Sequence, residues 1–176
     1  MDAIEALICA HRIRRDDIAA IEIHTFAEAV RLGTRPPRTT EEAQYAMGFP
    51  VAAMAVRGTV GAAELSEDGL RDAAINALLE RVRLVEESSL SNRFPAERLA
   101  TVTVTLQNGE RLTSPPTGAR GDPEIPLAED EVAAKFHRLA DALPTRRQAI
   151  IERSIAALDT DGAALRALTE AILTPI

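Results

Sequence analysis

The stretch LATVTVTLQNGERL (99–112) constrains this chain more than any other. Val102, Val104 and Leu106 alternate with Thr101, Thr103 and Thr105. That period of two belongs to a strand with one buried and one open face. An Asn-Gly pair follows at 108–109 and turns the chain back on itself, so the segment reads as an antiparallel hairpin. Everything else must pack against its Val-Val-Leu side.

Two further segments supply strands. IAAIEIHTF (18–26) points Ile21, Ile23 and Thr25 one way and Glu22 and His24 the other, and RVRLVEE (81–87) reads as a third strand. Helical spacing fills much of the remainder. Ile4, Leu7 and Ile8 mark a helix over 2–12, and 66–82 is helical. Thr39 with Glu42 forms a capping-box pattern opening a helix over 41–57 with Ala43, Met47, Val51 and Met54 on one face. Gly48 and Pro50 predict a kink or break inside it. Three helices close the chain, marked by Val132/Phe136/Leu139, by Ile151/Ile155/Leu158 with Thr145 and Gln148 as a capping box, and by Leu165/Leu168/Ile172. Strands and helices mix without regular βαβ alternation. The expected fold class is α+β, a small and largely antiparallel sheet packed with helices, in a single domain over 1–176.

With 176 residues the chain can bury a real core, and with aromatics at 3% that core must be aliphatic. The net charge of −7 and the lack of a basic stripe with interleaved aromatics argue against nucleic acid as a partner. The longest apolar run, MGFPVAAMAV (47–56), is too short to span a bilayer. A single cysteine, Cys9, excludes an internal disulfide, and the N-terminal charge order is the reverse of a secretory signal. These features predict a cytoplasmic protein without a membrane segment.

Much familiar chemistry is missing. His11, His24, His137 and Cys9 have no metal-ligand spacing, and no dinucleotide loop, phosphate loop or GxSxG elbow occurs. Neither a metal nor an organic cofactor is expected. Lys135, the only lysine, follows Glu129, Asp130 and Glu131 and reads as a solvated charge. Tyr45, the only tyrosine, reads as packing on its helix.

His24 is the most informative single residue. Its ordinary reading is a partly exposed strand histidine beside Glu22. Its sharper reading is a position on a sheet face bordering a cleft, where it could meet an anionic substrate. Arg31, Arg35 and Arg38, in the loop RLGTRPPRTT (31–40), could then supply bidentate carboxylate contacts. For any one of these arginines, simple solvation is the competing reading.

The run RGDPEIPLAEDEVAAKF (120–136) begins with an Arg-Gly-Asp tripeptide, but the whole run is the better guide. Its Gly121, Pro123, Pro126, Leu127, acids 129–131, Lys135 and Phe136 resemble a recurring segment of the MmgE/PrpD family, which includes methylcitrate dehydratase, aconitate decarboxylase and iminodisuccinate epimerase. DDIAAIEIHTF, EEAQYAMGFPVAAMAV, LRDAAINALLERVRLVEE and FPAERLATVTVTLQNGERL are similar to further blocks of that family in the same order. Arg-Gly-Asp is then a by-product of a loop that needs Gly and Pro. The chain departs from the pattern at Ala128, where a family Ser or Thr would cap a helix with a bond worth roughly 1 kcal/mol. It also departs at Gln44 and Phe49, in place of a common lysine and tyrosine.

The resemblance implies the family's smaller α+β lid, without the all-helical domain that holds most catalytic side chains. It implies ancestry among cofactor-independent lyases and isomerases that remove a proton next to a carboxylate of small di- or tricarboxylic acids. A lid-side family histidine falls at about Met1, so no catalytic residue is carried over. Three readings follow: a lid subunit completed by a separate helical polypeptide, a stand-alone binding or oligomerisation module, and a piece of a longer chain. A lid without its partner should expose an apolar face. The 41–57 helix is the expected place, and homo-oligomerisation or partner binding is expected through it.

Overall fold

The structure is a computed structural model, described here for residues 1–175. The chain forms two compact units, Met1–Pro126 and the residues from Leu127 onward. The first contains α1 (Asp2–His11), β1 (Ile18–Thr25), α2 (Ala27–Val30), α3 (Thr40–Tyr45), α4 (Gly48–Arg57), α5 (Glu67–Leu70), α6 (Ala73–Leu79), β2 (Val82–Glu86), α7 (Ser88–Ser91), β3 (Ala100–Leu106) and β4 (Arg111–Thr113). The second contains α8 (Glu129–Leu139), α9 (Thr145–Ala156) and α10 (Ala164–Leu173).

The sheet has the order β2-β1-β3-β4. β1 runs antiparallel to β3 and β3 to β4, while β1 and β2 are parallel. The fold is α+β with a mixed, mostly antiparallel sheet, as expected from the sequence. The hairpin forms where the alternation predicts it. Gly109 alone takes a positive φ, 86°, and the Asn108 side chain accepts from the Glu110 N–H at 2.9 Å. The connection is thus a four-residue loop with glycine in the left-handed region, where it bears no Cβ penalty.

The alternation along β1 also decides which face is covered. Ile18, Ile21, Ile23 and Thr25 are buried, while Glu22 and His24 are only partly so. Pairing places Ile23 beside Val102 and Ile21 beside Val104 on the inner face, with Val82 across from Ile21 on β2. α1, α4 and α6 contribute Ile4, Leu7, Phe49, Val51, Ile75, Leu78 and Leu79 to the same aliphatic core. On the other face Glu22 pairs with Arg111 at 2.5 Å, and the hydroxyls of Thr103 and Thr113 meet at 2.9 Å across strands.

Four local expectations change in the structure. The 41–57 helix is broken, as Gly48 and Pro50 predict, but its apolar residues are not an open face. Phe49, Val51, Ala52, Ala53, Met54 and Ala55 are all buried in this chain's own core. The reason is geometric: α4 lies against α1, α6 and β2, which consume that face. The 66–82 helix is two helices, because the Asp72 carboxylate accepts the N–H groups of Ala74 and Ile75 and so starts α6 anew. Thr145 and Gln148 form no capping box. Pro144 precedes α9, and the Gln148 amide instead donates to the Ala140 and Leu143 carbonyls, left without helical partners just beyond α8. Finally, Tyr45 is not packed: it is 77% exposed.

The Arg-Gly-Asp tripeptide has partners inside the first unit. Arg120 pairs with Asp2 at 3.5 Å and Glu5 at 3.6 Å on α1, and Asp122 with Arg98 at 3.7 Å. At the start of α8, Ala128 offers no side-chain oxygen, and the Glu131 carboxylate accepts the Ala128 N–H at 2.9 Å instead. No helix among the described residues is long and apolar enough to cross a membrane.

Candidate anion site in the loop between α2 and α3

After β1 the chain makes one short helix, α2, and then has no regular structure until α3. The segment is Leu32-Gly33-Thr34-Arg35-Pro36-Pro37-Arg38. Two consecutive prolines fix φ and remove donors, so this stretch can join neither helix nor sheet. Its far end is fastened twice at α3. The Thr39 hydroxyl accepts the Glu42 N–H at 3.1 Å, and the Glu42 carboxylate accepts the Arg38 N–H at 2.7 Å.

The result is a surface concavity of about 680 Å³ lined by Arg31, Arg35, Arg38, Glu42 and Tyr45, with Leu32, Pro36, Pro37 and Ala46 completing its wall. The three arginines predicted from the sequence therefore meet in one place. None of their guanidinium groups is in an ion pair or hydrogen bond with a described residue, whereas Arg57, Arg93 and Arg111 all have carboxylate partners. The lone acid of the concavity, Glu42, is engaged with the Arg38 backbone. Three unpaired cations facing one engaged carboxylate leave an excess of positive charge in a protein whose net charge is −7.

His24 does not join them. It stands on the outer face of the sheet between Val85 of β2 and Thr101 of β3, with Nδ1 at 3.8 Å from the Glu87 carboxylate. The sequence reading missed Glu42 and Tyr45 as neighbours of the arginines. The only available signal was position, since both follow the loop within one helical segment. Phe49, in place of the family tyrosine, is fully buried and lines no part of the concavity. Among the described residues no group of three or more His, Cys, Asp or Glu is arranged to hold a metal ion.

The Glu42 carboxylate accepts the Arg38 N–H through one oxygen, Oε2, and the guanidinium groups are permanently charged. What the concavity can do is hold a planar anion: each free guanidinium offers paired N–H donors to a carboxylate.

The comparisons with known proteins fit this architecture. The sequence model of the MmgE/PrpD C-terminal domain matches residues 1–160. No match is found among curated proteins. With nine-tenths of its length matched and an α+β fold built on the predicted hairpin, the chain belongs to the MmgE/PrpD family, as that family's C-terminal domain.

Proposed function

We propose that this chain is a substrate-cleft lid whose 31–46 segment binds small di- or tricarboxylic acids, and that it does not turn them over alone. The reading rests on the convergence of Arg31, Arg35 and Arg38 around one concavity with their guanidinium groups unpaired. A carboxylate between two such groups would be held by charge-assisted hydrogen bonds, with Tyr45 at the rim to cover the ligand's carbon skeleton. The family's lyase and isomerase ancestry supplies the substrate class. The catalytic remainder would come from a separate helical polypeptide closing over the loop. Such a partner, approaching the 41–57 segment, would meet α3 and the exposed Tyr45, since the apolar residues of α4 face inward. A cytoplasmic setting belongs to the same proposal.

A stand-alone binding module is the competing reading, favoured by the one carboxylate of the concavity being committed to a backbone N–H. One NMR titration of the isolated chain with citrate addresses both binding and turnover. The amides of residues 31–46 are expected to shift in a saturable way, while the resonances of citrate itself persist unchanged. Shifts centred elsewhere, such as around His24 and Glu87, would move the site. Conversion of citrate by pure protein would overturn the inactive-alone reading.

A further inference from the structure

We infer that His137 is a proton-operated latch: it fastens α8 to α9 while its imidazole carries both protons, and lets go when Nε2 gives one up. The packing of α8 leaves room for such a device. None of its eleven residues is buried, so apolar burial does little to hold the helix in place. His137, near its C-terminal end, supplies two polar contacts to α9 instead. Their partners, Gln148 and Glu152, are one helical turn apart and meet the ring from the same face of α9.

Gln148 fixes where the first proton sits. Its amide nitrogen donates to the Ala140 carbonyl at 3.0 Å and the Leu143 carbonyl at 2.8 Å, which uses both of its hydrogens. Turning the amide over would set its oxygen against two carbonyl oxygens, so it has one orientation. Its Oε1 stands 2.8 Å from His137 Nδ1 and can only accept, so Nδ1 carries a hydrogen. The other ring nitrogen, Nε2, lies 3.0 Å from the Glu152 carboxylate. With a proton on Nε2 as well, the ring is a cation and the contact is an ion pair. Without that proton, a nitrogen lone pair shares the space with a carboxylate oxygen, and the attraction is lost. Glu152 is the charged group of α9 in contact with the ring, since Arg147 is turned to the Ala171, Ile172 and Thr174 carbonyls. On the ring's own side the neighbouring charges are Arg138 and, just past the end of α8, Asp141. No group of α10 is paired with His137 among the described residues. The His137 side chain is 48% exposed, so solvent delivers and removes the proton freely and keeps the latch weak.

Backbone amide exchange of the full chain, followed by NMR from about pH 5.5 to about pH 8 and corrected for intrinsic rates, reads α8 residue by residue. An unfolded histidine titrates near pH 6.5, inside that window. Protonation favours the latched state, so protection is present at the acid end and is lost as pH rises. Amides 133–139 of the wild type are expected to lose about threefold or more in protection across the series, beyond any loss shared by β1 and β3. Glu152→Gln keeps the size of the side chain and removes its charge, and is expected to make α8 indifferent to pH. His137→Gln is expected to do the same, whereas His24→Gln, at the other histidine paired with a carboxylate, is expected to keep the wild-type response. At pH 8 the proton remaining on the His137 ring is expected on Nδ1 in imidazole nitrogen spectra. Protection of α8 that is flat with pH in the wild type would overturn the proposal. So would a response that survives Glu152→Gln or vanishes with His24→Gln, or a ring proton on Nε2 alone.

Discussion

Asp72 shows how one side chain can fix local structure twice. Its Oδ1 accepts the N–H groups of Ala74 at 2.8 Å and Ile75 at 3.3 Å, starting α6, while Oδ2 accepts from Arg57 Nε at 2.9 Å at the end of α4. The Arg57 guanidinium above all, then the Ile75 and Ala74 N–H groups, hold its carboxyl below the usual aspartate value against an opposing push from burial. A carboxyl with a lowered folded-state pKa stabilises the fold at pH above its unfolded value, near 3.9, and loses that contribution as pH falls through the folded value. Asp72→Ala should therefore cost about 1–2 kcal/mol at pH 7, the worth of a helix N-cap, and progressively less below about pH 4. Urea unfolding at pH 7 and pH 3 measures both. An equal deficit at the two values would assign the effect to packing instead of to charge.

At the scale of elements, the informative contact is between α4 and the arginine loop. A Cβ at Gly48 would meet Leu79 Cδ1 at 3.0 Å, Thr34 Cγ2 at 3.0 Å and Thr34 Cα at 3.1 Å. Leu79 is a side chain and can yield a little, but Thr34 Cα is loop backbone lying between Arg31 and Arg35. Gly48→Ala should destabilise by about 1–3 kcal/mol through overpacking. It should also weaken citrate binding by displacing the loop, read by titrating the folded variant at low temperature. Unchanged affinity would uncouple the loop from α4.

The same elements show what a sequence can carry. The hairpin and β1 were legible because each has one face in the core and one outside, and a period of two records that difference residue by residue. The break at Gly48 and the cap at Thr39 were legible because each is a local backbone requirement. The covering of α4 was not, since an apolar stripe says that something packs there but not whether that something is α6 or a partner. The final helices make the converse point. Val132, Leu139, Ile155, Leu165 and Ile172 located them correctly, yet all five are more than half exposed in the structure. Gln148 misled for a chemical reason: a glutamine can turn back to an N-terminus or donate to carbonyls, and here it donates to the Ala140 and Leu143 carbonyls.

For the molecule as a whole, the chain brings Arg31, Arg35 and Arg38 to one concavity, which is the anion site proposed above. The meeting of the three arginines in one concavity was legible because they fall within eight residues of one Pro-rich loop, so any closed path of that loop brings them near one another. The separation of His24 was not legible, because the distance between a strand and the loop after it depends on where α2 and α3 direct the chain. That separation gives the direct test of the account: calorimetric titration of citrate into the wild type, Arg35→Ala and His24→Ala at low ionic strength. The account predicts that Arg35→Ala weakens binding about fivefold or more and that added salt weakens the wild type, the mark of exposed charge-assisted contacts. It predicts wild-type affinity for His24→Ala. Loss of binding with His24→Ala and retention with Arg35→Ala would contradict the account and move the site to the outer face of the sheet.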